Sequence, residues 1–99
     1  ADLDVPPAAS RILGCVPNPF TRTTALVFEL AAIRDAELVV FDALGRRVRT
    51  LLDGSSAPGR HVIRWDGRDD AGREAASGVY FVRLRTPGNR SSDRLVLLR

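Results

Sequence analysis

The sequence of 99 residues predicts an all-β domain, an antiparallel β-sandwich of about seven short strands. Apolar residues recur with period two in short runs, which is the pattern of strands with one buried face. Glycine, proline, asparagine and aspartate separate these runs at nearly regular spacing, as they do in sandwiches with Greek-key connections. No longer stretch shows the periodicity of an amphipathic helix, so the pattern favours strands throughout.

Alternation within the runs places the strands and the core. The predicted strands cover residues 11–16, 25–31, 37–42, 47–52, 61–65, 79–85 and 94–98. In the second of these, Leu26, Phe28 and Leu30 point to one face. Arg83 and Arg85 share one face of the sixth, which therefore reaches solvent, as in antiparallel sheets. The predicted core consists of Leu26, Phe28, Leu38, Val40, Trp65, Tyr80, Val82 and Leu97.

The chain is organised as a short linker followed by one domain. Residues 1–9 are predicted to be the linker, because two adjacent prolines favour an extended backbone and nothing there is periodic. Residues 10–99 are predicted to form the sandwich. Residues 53–59 are predicted to be a loop from their glycine, serine and proline content.

Composition excludes several classes of function. All 15 basic residues are arginine, and 12 acidic residues are interspersed among them, which leaves a net charge of +3. Because the arginines are spread along the chain, we attribute them to a GC-rich genome and expect no nucleic-acid partner. No apolar run approaches the roughly 18 residues of a membrane helix, so membrane insertion is not expected. The single cysteine excludes an internal disulfide, and the isolated domain is expected to be monomeric.

Five segments in a fixed order carry a resemblance to a known family. They are residues 17–20 (PNPF), 41–46 (FDALGR), 65–73 (WDGRDDAGR), 77–81 (SGVYF) and 95–98 (LVLL). In this order and spacing, over residues 12–99, the chain resembles the FlgD Ig-like family. It is also similar to the C-terminal sorting domains of bacterial type IX secretion.

The resemblance implies an immunoglobulin-like or fibronectin III-like sandwich without catalytic residues and without a cofactor. Members of the family occur in the flagellar hook-capping protein and at the C-terminal ends of secreted bacterial hydrolases and surface proteins. There the module is a stalk or a sorting and anchoring signal. Sorting domains usually end in a lysine-rich strand, whereas Arg94 and Arg99 stand at that place here. The tryptophan-aspartate-glycine loop is closer to the FlgD-like branch.

Candidate chemical groups are few. His61 is the only histidine and Cys15 the only cysteine, so neither a nucleophile with a base nor a zinc site can be assembled, and no catalytic residue is predicted. Asp66, Asp69 and Asp70 lie close together in a glycine-bearing loop, which is a weak pattern for calcium. The favoured interpretation is that Asp66 and Asp69 accept backbone N–H groups within tight turns, and that no metal is bound.

Two classes of function remain. The favoured hypothesis is a non-catalytic C-terminal module of a larger exported bacterial protein, secreted or at the cell surface, which docks on secretion or surface-assembly machinery. Its predicted partner-binding residues are Arg94, Leu95, Val96, Leu97, Leu98 and Arg99. If this strand lies at a sheet edge, its unpaired backbone would allow strand addition. The alternatives are a hook-capping assembly domain and a carbohydrate-binding accessory module, the latter requiring exposed Trp65 and Tyr80.

Overall fold

A computed structural model describes residues 10–32 and 34–99, which form seven strands. They are β1 (Arg11–Val16), β2 (Thr24–Leu30), β3 (Arg34–Asp42), β4 (Arg47–Ser56), β5 (Gly59–Trp65), β6 (Gly78–Thr86) and β7 (Asn89–Leu97). The predicted linker, residues 1–9, lies outside the described residues. Within those residues no helix has the length and hydropathy needed to cross a membrane.

The strands form two antiparallel sheets that pack face to face. One sheet has the order β1-β2-β5 and the other the order β4-β3-β6-β7. Because β4 pairs with β3, the chain changes sheets between β4 and β5. This arrangement confirms the predicted immunoglobulin-like sandwich.

Strand ends differ from the predicted ones where pairing outweighs composition. β4 continues to Ser56, although the glycine and serines of its last residues are typical of a loop. The extension exists because β3 already begins at Arg34, which pairs with Ser56 across the sheet. β7 begins at Asn89, because a tight hairpin sets that residue opposite Thr86 of β6. The ladder partner therefore keeps these polar segments extended.

The core lies between the sheets and contains every residue that the alternation predicted. The most exposed of the eight is Tyr80, at 6%. Two further contributors are Phe20, which lies between β1 and β2, and Leu95 of β7, both of which are buried. The same alternation turns Phe81 outward, where 41% of its surface is exposed.

Truncation of Phe28 tests the assignment of the faces. Replacing this fully buried ring by alanine should lower the free energy of unfolding by about 3–5 kcal/mol, since both transfer energy and a cavity are involved. Phe81→Ala is the matched control and should cost less, about 1–2 kcal/mol, because 41% of its surface is already exposed. The measurement is urea unfolding followed by tryptophan fluorescence. Equal losses in the two variants would contradict the assignment.

Candidate functional site

Three aromatic rings close one end of the sandwich. The ring centroid of Trp65 lies 5.5 Å from that of Phe20 and 5.4 Å from that of Tyr80, both in tilted or edge-on contact. The Trp65 Nε1–H donates to the Arg68 carbonyl at 2.9 Å, and the Tyr80 hydroxyl donates to the Ala76 carbonyl. All three rings are buried, and the polar atoms of Trp65 and Tyr80 hold the connection between β5 and β6.

That connection repeats a turn found elsewhere in the chain. Residues 42–46 (DALGR) link β3 to β4, and residues 69–73 (DDAGR) have the same pattern of aspartate, glycine and arginine. In both turns the glycine N–H donates to the aspartate carbonyl, and the aspartate N–H donates to the arginine carbonyl. Gly45 and Gly72 have φ angles of +81° and +83°, which side chains with a Cβ rarely adopt.

The aspartate carboxylates complete both turns in the same way. Oδ1 of Asp42 accepts the N–H groups of Leu44 and Arg46, each at 2.9 Å. Oδ1 of Asp69 accepts the N–H groups of residues 71 and 73 at 3.0 and 2.9 Å. The arginine N–H in each turn holds the pKa of the aspartate carboxyl below its ordinary value, since it binds the charged form.

The same connection covers one edge of the four-stranded sheet. The N–H of Asp70 donates to the Val48 carbonyl at 2.9 Å, and the N–H of Thr50 donates to Asp70 Oδ1 at 3.0 Å. Between them, the guanidinium of Arg49 lies 3.9 Å from the carboxylates of Asp66 and Asp70. The first half of the β4 edge is therefore paired and shielded from other chains.

The three aspartates considered for calcium accept hydrogen bonds from different donors. Asp66 accepts the Arg68 N–H at 3.1 Å, Asp69 accepts N–H groups within its own turn, and Asp70 accepts from β4. Over residues 10–32 and 34–99, no three metal-ligating side chains converge as a metal site would require. The arrangement matches the interpretation of these residues as hydrogen-bond acceptors within the fold.

The opposite edge of this sheet, formed by β7, is covered by residues 17–20. Asn18 donates from Nδ2 to the Arg94 carbonyl at 2.8 Å and accepts the Val96 N–H at 3.0 Å. Phe20 donates its N–H to the Val96 carbonyl and accepts the Leu98 N–H, both at 2.9 Å. β7 is an edge strand, but along this stretch its backbone groups are already paired, so strand addition there is blocked.

The six residues predicted to bind a partner are placed very differently. Leu95 and Leu97 are fully buried in the core. The side chains of Arg94 and Leu98 are exposed, with no described residue in an ion pair with Arg94. Val96 is partly buried on the outer face of the sheet. A role in partner binding stays a prediction, and among residues 94–98 the side chains available for it are those of Arg94, Val96 and Leu98.

Arg99 is held by the connection between β5 and β6. Its N–H donates to Ser77 Oγ at 2.7 Å, and its guanidinium donates to the carbonyls of Ala75 and Gly67 at 2.6 and 2.7 Å. A Cβ at Gly67 would lie 2.7 Å from the Arg99 Nη2 atom. Sequence reasoning missed this role, because no local pattern links an arginine to carbonyls so far along the chain.

His61 and Cys15 both make contacts within the folded domain. The ring of His61 stacks on Phe28 at 5.2 Å, and its Nε2–H donates to the Ala57 carbonyl at 2.7 Å. Burial, together with the charge of nearby Asp93 and the hydrogen bond to it, raises the pKa of the Cys15 thiol to about 12. A thiol with this pKa is a poor nucleophile at neutral pH.

These features define an immunoglobulin-like module with loops that cover two sheet edges. The chain belongs to the FlgD Ig-like domain family, whose model matches residues 18–89. The PNPF segment covers β7 and the WDGRDDAGR segment covers β4, so both recognised segments act at sheet edges. No curated protein is similar enough in sequence to match the chain.

Solved structures share the fold at low sequence identity. Latent dimeric PorU from Porphyromonas gingivalis superposes with a TM-score of 0.74 at 17% identity, over 96% of this chain and 10% of PorU. PorZ, a surface component of the type IX secretion system of the same organism, gives 0.60 at 23%, over 89% of this chain and 11% of PorZ. FlgD from Xanthomonas campestris, a hook-capping protein, gives 0.59 at 23%, over 92% of this chain and 63% of FlgD.

The chain thus spans about a tenth of PorU and PorZ and less than two thirds of FlgD.

The burial of Trp65 and Tyr80 removes the exposed aromatic platform that a carbohydrate-binding module would need.

The charge of Asp69 should contribute to stability in a pH-dependent way. Because its folded pKa is lowered, this contribution is complete above the ordinary aspartate pKa and is lost as the pH falls below about 4. Asp69→Asn keeps the shape and removes the charge, so its destabilisation at pH 7 should shrink at pH 3. The measurement is urea unfolding at both pH values. Asp53→Asn, an exposed carboxylate without a described ion pair, is the control, and equal effects of the two variants would contradict the prediction.

Calcium should not change the stability of the domain. The carboxylates of Asp66, Asp69 and Asp70 already accept hydrogen bonds from separate groups, so no calcium site needs to form for the loop to be ordered. Millimolar calcium and a chelator should therefore give the same melting temperature in differential scanning calorimetry. A calcium-dependent rise of several degrees would contradict this, because a ligand that binds only the native state stabilises it by mass action.

Proposed function

We propose that this domain is a non-catalytic module of a larger exported bacterial protein, where it serves as a sorting or anchoring signal or as a structural stalk. The small share that this fold makes up of two larger proteins is the observation that carries the proposal. The same fold makes up about a tenth of PorU and of PorZ, and PorZ is a surface component of a secretion system. A module of this kind acts as part of a larger chain and is positioned outside the cytoplasm.

The positions of Ser10 and Arg99 in the fold support a role as a spacer. The Ser10 carbonyl accepts a hydrogen bond from Asn89 beside the hairpin between β6 and β7. Arg99 is bound at the other end of the sandwich, to Gly67 and Ala75 beside the aromatic rings. Residues 10 and 99 therefore lie at opposite ends of the sandwich, a geometry suited to a spacer.

The surroundings of Cys15 and His61 support a non-catalytic role. Cys15 is buried and has a raised pKa, and His61 is bound to a backbone carbonyl. A nucleophile needs a base within hydrogen-bond reach, and the two side chains have other partners. The module is proposed to act through its surface, with secretion or surface-assembly proteins as partners.

The family match favours one second candidate, a hook-capping assembly domain. The chain belongs to the family named after FlgD and covers 63% of the Xanthomonas campestris FlgD structure. The identity of the domain that precedes this one in its parent protein separates the two candidates. Hook-cap sequence there would support the second, and a hydrolase or surface domain would support the first.

An export assay tests the sorting role. A periplasmic reporter fused to residues 1–99 should reach the cell surface in a bacterium with type IX secretion and stay in the periplasm of a strain that lacks this machinery. Surface protein is measured by antibody labelling of intact cells. Equal amounts at the surface of both strains would refute sorting by this route and leave the stalk role. Periplasmic retention in both strains would refute sorting as well.

Point variants locate the partner surface without removing a strand. Arg94→Glu should reduce surface delivery severalfold, because reversing an exposed charge opposes an acidic receptor. Arg90→Glu is the matched control, since Arg90 is an exposed arginine near the other end of the same strand. Both proteins are first shown to have the wild-type melting temperature. Equal delivery of the two variants would remove Arg94 from the contact surface.

A further inference from the structure

The two sheets have four edge strands, and described residues bond to part of the edge of three of them. The connection between β5 and β6 bonds to β4, and residues 17–20 bond to β7. The edge of β1 faces β7, where the Ile12 N–H donates to Ser91 Oγ at 3.1 Å. An edge strand presents unpaired N–H and C=O groups, and these contacts occupy such groups on all three strands.

β5 is the edge strand without such a cover. Its seven residues pair with β2 on one side, from Gly59 opposite Leu30 to Trp65 opposite Thr24. On the other side, no described residue outside the strand forms a hydrogen bond with the backbone of residues 59–65. The strand is thus a regular, uncovered edge about 23 Å long, at the usual rise per residue.

The outward side chains of β5 give this edge a charge pattern. Arg60, Val62 and Arg64 share the outer face, and 56% of the Val62 surface is exposed. Both arginines are exposed, and neither forms an ion pair or hydrogen bond with a described side chain. In contrast, Glu29, the acidic residue across the sheet from Arg60, is paired with Arg11 at 2.9 Å.

We propose that the β5 edge binds an extended acidic segment of a partner polypeptide by strand addition. Backbone hydrogen bonds to the uncovered edge supply the pairing. A cross-strand neighbour lies directly opposite each residue, so acidic side chains two residues on either side of an apolar one meet Arg60, Val62 and Arg64. The inference holds whether the module sorts, anchors or spaces, because it rests on this edge alone.

A second copy of the chain is a poor occupant of the same edge. Antiparallel pairing of two β5 strands centred on Val62 would set Arg60 of one copy opposite Arg64 of the other. Like charges directly opposite each other destabilise a strand pair. The two arginines therefore disfavour self-association and favour a partner of opposite charge.

Peptide binding tests the charge pattern. The probe is fluorescein-labelled Thr-Glu-Thr-Val-Thr-Glu-Thr with blocked ends, and its control carries lysine in place of both glutamates. By fluorescence anisotropy, the acidic peptide should bind residues 1–99 about tenfold or more tightly than the lysine peptide. Equal affinities would overturn the proposal. Binding of neither peptide would also overturn it and would assign the arginines a purely protective role at the edge.

Variants and backbone-blocked peptides separate pairing from general attraction. R60E/R64E should reverse the preference toward the lysine peptide, and R60Q/R64Q, which places no new carboxylate opposite Glu29, should abolish the preference. Both variants are compared at matched thermal stability. Acidic peptides N-methylated at the glutamates and valine, or at the central threonines, block opposite backbone edges, so one of the two should lose binding. Full binding by both would overturn strand addition.

Discussion

The contact on which the rest of the structure depends is the packing of Trp65 between Phe20 and Tyr80. It joins parts of the chain that have little else in common: the end of β5, the segment between β1 and β2, and the start of β6. The rings exclude water from one end of the core, and the polar atoms of Trp65 and Tyr80 hold the connection between β5 and β6. Because the backbone of Phe20 also pairs with β7, one aromatic cluster positions the covers of both edges of the four-stranded sheet.

The same turn motif occurs twice in the sandwich and has a different role at each place. The turn of aspartate, glycine and arginine closes an ordinary hairpin at residues 42–46, and at residues 69–73 it projects the backbone that pairs with β4. The hydrogen bonds inside the two turns are the same, since they depend on residues four apart and on a glycine with positive φ. What each turn does is decided by the strand that lies beside it. A sheet that would otherwise expose two edges has part of each edge covered by a short polar segment.

Closure of these edges determines where a partner can meet the module. The last strand gives most of its residues to the core and to intramolecular pairing, which leaves a few outward side chains, such as Arg94, for contact. β5 keeps a backbone edge to which no described residue bonds, and its two exposed arginines form no ion pair with a described residue. Fold similarity to PorU at 17% identity says nothing about either surface, because function in such modules is carried by surface residues and not by the architecture.

The sequence alone determined the number of strands, their approximate places and the core, because each follows from the alternation of apolar residues and from turn chemistry within a few positions. Leu26, Phe28, Val82 and their neighbours are buried as that alternation requires. The tertiary structure decided which segments pair where the amino-acid composition does not distinguish a strand from a loop, as in the polar ends of β4 and β7. It also decided that Asn18 covers Val96 and that Arg99 binds Gly67, since hydrogen bonds between residues 78 and 32 positions apart leave no periodic trace in a sequence.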